Sequence, residues 1–304
     1  MILYPNCKIN LGLRVIRKRP DGYHDLETVF VPIYGLHDEL EVERIQNTDR
    51  FADRIQTNND GLMFSQEGIA VDCPAEDNLI VKCYRQMRAK YPQIGDVAVR
   101  FKKNIPFGAG LGGGSSDAAH MAVALNELFS LRLTKEQLAA EVKPLGADCP
   151  FFVYNTPCYA EGIGDLLTPV ELDLEGIRII MIKPEEGVST KEAYSGITRH
   201  PEVAGQIKSV LCQAKPVCTL SGEADPFVND FEATVFPLHP QIAAIKKRLL
   251  DAGAFYASMS GSGSTVFGLF KNDPEGRSDA RLAALKEEFA SMVLLDDTFG
   301  KWKS

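Results

Sequence analysis

A chain of 304 residues is too long for one comfortable core and suits two domains. With 45% hydrophobic and 24% charged residues it is globular in composition, with no apolar run of membrane-spanning length and no signal-peptide pattern, so a cytoplasmic protein without a membrane partner is expected. The net charge of −8 argues against a nucleic-acid partner, and seven scattered cysteines without CxxC or zinc spacing argue for reduced thiols.

In CKINLGLRV, Cys7, Ile9, Leu11, Leu13 and Val15 alternate with Lys8, Asn10, Gly12 and Arg14, which predicts a strand with one packed and one polar face. Lys8, Arg14, Arg17, Lys18 and Arg19 form a basic run without an acid, fitting either a small anionic ligand or a solvated strand end. RPDGYH supplies turn chemistry through Pro20, Asp21 and Gly22. LETVFVPI and DELEVERI read as further strands. EDNLIVKCYRQMRAKY reads as an amphipathic helix, with Leu79, Ile80, Cys83, Tyr84 and Met87 at helical spacing. DVAVRF is a strand that leads through KKNIP into a glycine-dense loop. The helix after the loop carries an apolar stripe from Ala118 to Phe129. TKEQLAAEV follows as a second helix, with Thr134 and Gln137 in capping-box spacing and Pro144 ending it. LGADCPFF is expected to enter a strand.

In the second half, IRIIMIKP reads as a strand, TKEAY as helical, and HPQIAAIKKRLLDAG as a helix closed by Gly253. AFYASMSGSGSTVFGLF reads as two strands about a Ser/Gly turn, and RSDARLAALKEEFASM as a helix. This β-α-β-β-α-β order predicts a ferredoxin-like second domain. The boundary is expected between residues 160 and 175, giving domains of residues 1–165 and 166–304.

The loop FGAGLGGGSSDAA (residues 107–119) has a ready chemical use. Its glycines let backbone N–H groups turn toward a ligand, and a helix start near Ser115 or Ser116 adds free N–H groups and the positive end of the helix dipole. That is an anion cradle suited to phosphate. Ser115 and Ser116 suit phosphate contact, a metal ion, or plain N-capping. A P-loop needs a lysine after its glycines, which is missing here. Gly108, Gly110 and Gly113 satisfy GxGxxG, but a second helix follows where a dinucleotide fold needs a strand ending in an acid. The protein-kinase set is absent as well.

Asp148, set among Cys149, Pro150, Phe151 and Phe152, suits two roles: a base or orienter for a hydroxyl attacking phosphate, or a cap for the following turn. Lys8 suits stabilisation of charge on a transferring phosphoryl group, against the commoner case of a surface lysine. Tyr23 and His24 follow the turn and suit stacking on and reading a base, or no ligand at all. SGSGST at residues 260–265 is either a second backbone cradle or a hairpin turn.

Taken in order, PNCKINLGLRV, RPDGYH, PFGAGLGGGSSDAA, GADCPFF and GSGST resemble the GHMP superfamily of small-molecule kinases, over residues 5 to 265. The resemblance implies a two-domain α/β architecture, with a ribosomal-S5-like N-terminal domain and a ferredoxin-like C-terminal domain. It implies Lys8 and Asp148 as the catalytic pair. It places ATP on Asn78, Leu79, Lys103, Pro106, Gly108, Ala109, Gly110, Leu111, Gly112, Gly113, Gly114, Ser115 and Ser116, with Asn78, Leu79 and Lys103 on the adenosine side. Mg²⁺ is implied on the ATP phosphates, with Ser116 the candidate protein ligand. DGYH close behind KINL points, within the superfamily, to phosphorylation of the 2-hydroxyl of 4-diphosphocytidyl-2-C-methyl-D-erythritol in non-mevalonate isoprenoid synthesis. The acceptor would then meet Asn10, Tyr23, His24, Asp148 and Thr190. Homoserine, mevalonate or a sugar is the alternative acceptor. The resemblance leaves a monomer or weak homodimer acting on small molecules. Cys7 stands where the family usually carries alanine, on the packed face of its strand.

Overall fold

The computed structural model describes residues 1–45, 61–70, 74–211, 226–271 and 279–300. In chain order the elements of the first half are β1 (Ile2–Leu3), β2 (Asn6–Lys18), β3 (His24–His37), β4 (Glu39–Arg44), β5 (Leu62–Gly68), α1 (Leu79–Lys90), β6 (Val97–Lys103), α2 (Gly113–Leu128), α3 (Lys135–Val142) and α4 (Cys149–Tyr154). Then come β7 (Cys158–Glu161), β8 (Leu166–Pro169), β9 (Arg178–Ile182), α5 (Thr190–Ser195), α6 (Gln206–Leu211), α7 (Glu232–Leu238), α8 (Pro240–Asp251), β10 (Tyr256–Met259), β11 (Val266–Phe270), α9 (Asp279–Glu288) and β12 (Val293–Thr298). Arg277 and Ser278, expected to open the last helix, lie outside the described residues. No helix among the described residues is long and apolar enough to cross a membrane.

The chain forms two compact units that interleave in sequence. The first comprises Met1–Lys8, Pro32–Phe107 and Gly112–Asn155; the second comprises Ile9–Val31, Gly108–Leu111 and Thr156–Ser304. In the first unit, a sheet of order β1-β4-β6-β5 is antiparallel except for the parallel β5–β6 pair. Asn78 caps α1 by accepting from the Ile80 N–H at 2.9 Å. The Thr134–Gln137 capping box at α3 forms in both directions.

Two expectations need correction here. Helix α2 begins at Gly113, with Gly112 as a left-handed N-cap (φ +69°), so Ser115 and Ser116 lie inside the first turn and cap nothing. LGADCPFF does not enter a strand: Cys149–Tyr154 is helix α4, its six residues held between a proline in the first turn and a left-handed Asn155 (φ 50°). A short all-apolar run has no period that separates strand from helix.

In the second unit, the sheet order β10-β11-β9-β12, with α8 and α9 as the crossovers, is the ferredoxin-like arrangement. Gly253 (φ +105°) follows α8 as expected. Leu13, Val15, Ile180, Ile182, Ile245, Leu249 and Met259 share its core, and burying each such side chain contributes roughly 1.5–3 kcal/mol. The third sheet has order β2-β3-β7-β8. Along β2 the residues expected to pack are buried, but so are Lys8 and Asn10 on the other face. The polar face is therefore enclosed, not solvated.

Candidate active site

In the first unit, Lys8 on β2 is 3% exposed, and its Nζ lies 3.6 Å from Asp148 Oδ2. Burial pushes the Lys8 ammonium below its ordinary pKa, while the Asp148 carboxylate works against that shift. Asp148 occupies the N-cap position of α4 but makes no side-chain capping bond there. The capping alternative is thus not realised, and the carboxylate, 31% exposed, is directed at Lys8. Since a tight ammonium–carboxylate bond spans about 2.7–2.9 Å, this pair is loose.

The first turn of α2 lies beside this pair. A Cβ at Gly112 would come within 3.2 Å of Lys8 Cε and 3.0 Å of the Phe152 ring, and its φ of +69° already excludes most side chains. The first intrahelical bond runs from the Ser116 N–H to the Gly112 carbonyl. The N–H groups of Gly113, Gly114 and Ser115 therefore have no intrahelical acceptor. Ser115 Oγ bonds the Cys149 thiol. Ser116 is fully buried, and its Oγ lies 3.3 Å from His120 Nδ1. A Cβ at Gly114 would lie 3.6 Å from Leu79 Cδ1. Asn78, next to it, lines a cavity of 440 Å³ with Phe64, Gln66, Gly68, Ile69 and Ala75. Pro106 is half-buried just before the 70%-exposed Phe107.

Lys103, expected on the adenosine side, ends β6. It is buried between Asp38 Oδ2 at 2.5 Å and Asp117 Oδ2 at 2.8 Å. Burial alone would lower its pKa, but the two carboxylates outweigh burial and raise it. Asp117 is buried as well.

In the second unit, the segment Gly108–Leu111 is fastened to the turn at residues 260–265. Ser260 Oγ donates to the Gly110 carbonyl at 2.9 Å, and the Thr265 N–H donates to the Ala109 carbonyl at 3.3 Å. A Cβ at Gly110 would strike the Ser260 carbonyl oxygen at 2.0 Å. Leu111 and Ala109 are buried, while Gly108 is open around its Cα. SGSGST thus joins β10 to β11 and also braces the phosphate-type loop. Asn10 donates through Nδ2 to Thr28 Oγ1 at 3.1 Å, and its N–H faces Ser260 Oγ at 3.4 Å. Thr190 Oγ1 lies 3.4 Å from Ser262 Oγ.

His24 stacks on Tyr194 with centroids 4.7 Å apart and planes at 19°. Among the described residues its buried Nε2 has no hydrogen-bond partner, and burial, with Arg199 and Lys18, lowers its pKa. The adjacent Tyr23 is exposed. The basic run is largely neutralised by acids distant from it or in the turn: Arg14 pairs with Asp230 at 3.1 Å, and Arg17 and Arg19 pair with Asp25.

Sequence reasoning missed Asn229, Asp230 and Glu232. Asn229 Nδ2 donates to the Met259 and Gly261 carbonyls at 2.7 and 2.9 Å. Asp230 accepts from the Val15 N–H at 2.7 Å, and Glu232 accepts from the Met259 N–H at 2.8 Å. The available signal was NDFE, three polar residues crowded against the start of an apolar helix.

The family model described as the GHMP kinases N-terminal domain matches residues 78–156, and the C-terminal model matches residues 218–291. Fold and site together define a GHMP kinase, a class of ATP-dependent small-molecule kinases. A 4-diphosphocytidyl-2-C-methyl-D-erythritol kinase of Bacteroides thetaiotaomicron is 46% identical over 277 residues, covering 91% of this chain and 93% of the relative. The kinase of that name from Porphyromonas gingivalis is 42% identical over 90% of this chain and 94% of the relative. A crystal structure of 4-(cytidine 5'-diphospho)-2C-methyl-D-erythritol kinase superposes with a TM-score of 0.74 at 30% identity, covering 99% and 100% of the two chains. Homoserine kinase from Cytophaga hutchinsonii, at 17% identity and TM-score 0.66 over 89% and 87% of the two chains, shares the fold. The chain belongs to the 4-diphosphocytidyl-2-C-methyl-D-erythritol kinase family.

Proposed function

We propose that this chain transfers the γ-phosphoryl group of ATP to the 2-hydroxyl of 4-diphosphocytidyl-2-C-methyl-D-erythritol, and that Lys8 and Asp148 act at the oxygen that receives it. The observation that carries this reading is the Lys8–Asp148 pair beside the open N-terminus of α2. The N–H groups of Gly113, Gly114 and Ser115 hold phosphate oxygens where the helix dipole favours negative charge. The adenosine end extends along Leu79 toward the cavity at Asn78.

An Asp148 oxygen takes the proton from the acceptor hydroxyl. The hydroxyl oxygen forms its bond to the γ-phosphorus as the bond from phosphorus to the bridging oxygen breaks, and ADP leaves. Lys8, fixed on a strand, in its protonated form stabilises the negative charge spread over the transferring group without reorganising. Magnesium would arrive with ATP and offset charge on its phosphates, with Ser116 in the first turn of α2 as the candidate protein ligand.

The cytidine end of the acceptor meets His24 and Tyr23, with Asn10 and Thr190 toward the polyol and the phosphates. Neutral His24 has one donor and one acceptor nitrogen, and its unpartnered Nε2 calls for a base edge. Binding at this remote end supplies the energy that aligns the hydroxyl. In the same reading the enzyme works in the cytoplasm as a monomer or weak homodimer, away from nucleic acid and membranes.

An ADP-release assay across three alcohols tests the substrate. Turnover is expected with the cytidine-bearing methylerythritol and not with homoserine or mevalonate. Turnover of either of the latter without the first overturns the assignment.

A further inference from the structure

Helix α5 carries both Thr190 and Tyr194, yet at six residues it is too short to hold itself. Ser189 caps it by accepting from the Glu192 N–H at 3.1 Å. From one side the segment is held by the turn at residues 260–265: Ser264 Oγ donates to the Glu186 carbonyl at 2.5 Å, and Thr190 Oγ1 meets Ser262 Oγ. From another side it is held by His239, at the corner where α7 ends and α8 begins.

His239 has a carboxylate on each ring nitrogen. Its Nδ1 lies 3.1 Å from Glu186 Oε2 and its Nε2 lies 3.2 Å from Glu192 Oε1. Ionised carboxylates only accept, so both contacts are hydrogen bonds only when both nitrogens donate. Gln241, on the first turn of α8, bonds Glu186 as well, and with His239 it holds that carboxyl below its usual range. One imidazole therefore ties the loop before α5 and the first turn of α5 to the corner of α7 and α8.

We propose that His239 is a positioning residue: acting through Glu186 and Glu192, it sets α5 so that Tyr194 and Thr190 meet the acceptor. This rests on the reading of His24 and Thr190 as contacts of the acceptor; Tyr194 enters because His24 stacks on it. His239 touches no substrate in this scheme. Its effect falls on acceptor affinity and leaves ATP binding and the chemical step alone.

The test is steady-state kinetics on the full chain, varying ATP and acceptor separately, for His239→Gln, Glu192→Gln, the double variant and His24→Ala, with thermal melts of each. His239→Gln is expected to raise the acceptor KM about 5- to 20-fold, with kcat and the ATP KM within about 2-fold of the parent. The double variant is expected to be no worse than the worse single variant, because both remove one clamp. Additive losses overturn the route through Glu192. If His239→Gln leaves the acceptor KM unchanged while His24→Ala raises it, the positioning role fails and the acceptor reading stands. If neither variant moves the acceptor KM, the acceptor reading fails and takes this inference with it. A lower melting temperature with kcat and both KM values shifted alike makes His239 a structural residue and overturns the proposal. Glu192→Gln, which preserves shape, keeps the test open if His239→Gln does not fold.

Discussion

Lys8 and Lys103 are both 3% exposed, both rise from strands, and both face carboxylates, yet they are held in opposite ways. Lys103 has two buried carboxylates at 2.5 and 2.8 Å, which outweigh burial and raise its pKa. Lys8 faces Asp148 at 3.6 Å, and there burial wins and the pKa falls. Burial alone does not decide what a lysine does. A lysine whose charge the protein has compensated closely serves the fold. One whose charge is loosely compensated gains from an added anion, which is what a transferring phosphoryl group supplies.

The largest effect that would break this contrast concerns Lys103. Lys103→Met leaves Asp38 and Asp117 facing each other without their cation, and breaking a buried pair in this way costs about 3–5 kcal/mol. Chemical denaturation should find a loss of that size. A loss below about 1 kcal/mol would place the two lysines in one class. Next comes Asp148→Asn, which removes the proton acceptor while keeping its shape. Turnover should fall at least ~10²-fold with little change in the ATP KM. Near-normal turnover would refute the base role and leave Asp148 a mere neighbour of Lys8.

The contrast was invisible in sequence, and the reason is general. What neighbours along the chain decide could be read: the alternation of β2, the Thr134–Gln137 box, the stop at Gly253, and the order of elements in the second unit. What distant partners decide could not. Asp38 lies 65 residues from Lys103, and Asp230 lies 215 residues from the Val15 N–H it accepts from. The basic run at residues 14–19 looked uncompensated because Asp230 is far away and Asp21 and Asp25 sit beyond the run. The roles expected of Lys8 and Asp148 were open alternatives in the residues themselves, and family resemblance chose between them. Their pairing at 3.6 Å, and the absence of a capping bond at Asp148, came from the fold. The short helix α4 was misread because an all-apolar run carries no period, though Pro150 and Asn155 mark its ends.

His24 extends the comparison to the second unit, since its buried Nε2 is another group whose partner the described residues do not supply. His24→Ala should raise the acceptor KM by roughly 10-fold and leave the ATP KM unchanged. Unchanged acceptor affinity would make His24 a packing residue for Tyr194. Acid should act in the same direction. Burial, Arg199 and Lys18 hold the His24 pKa below its ordinary value of 6.5. The neutral form therefore persists to lower pH than usual, and the acceptor KM should rise only as pH falls below the ordinary imidazole range.

The finest test uses the Lys8 pKa itself. Lys8 must carry its proton to steady the phosphoryl group, and its pKa in the folded protein lies below the ordinary 10.5. Activity should therefore fall on the alkaline side at a lower pH than an ordinary lysine would allow. Asp148 opposes the downward shift, so the residual activity of Asp148→Asn should lose its alkaline limb at a still lower pH. Stability should show the same group with the opposite sense. The unfolded chain holds the Lys8 proton more tightly than the folded one, so Lys8 adds an increase in stability as pH climbs from its folded value toward 10.5. Lys8→Met should remove that increment without lowering the melting temperature at neutral pH, because Asp148 keeps access to water. A melting temperature that drops as it does for Lys103→Met would mean that Lys8, too, is held for the fold.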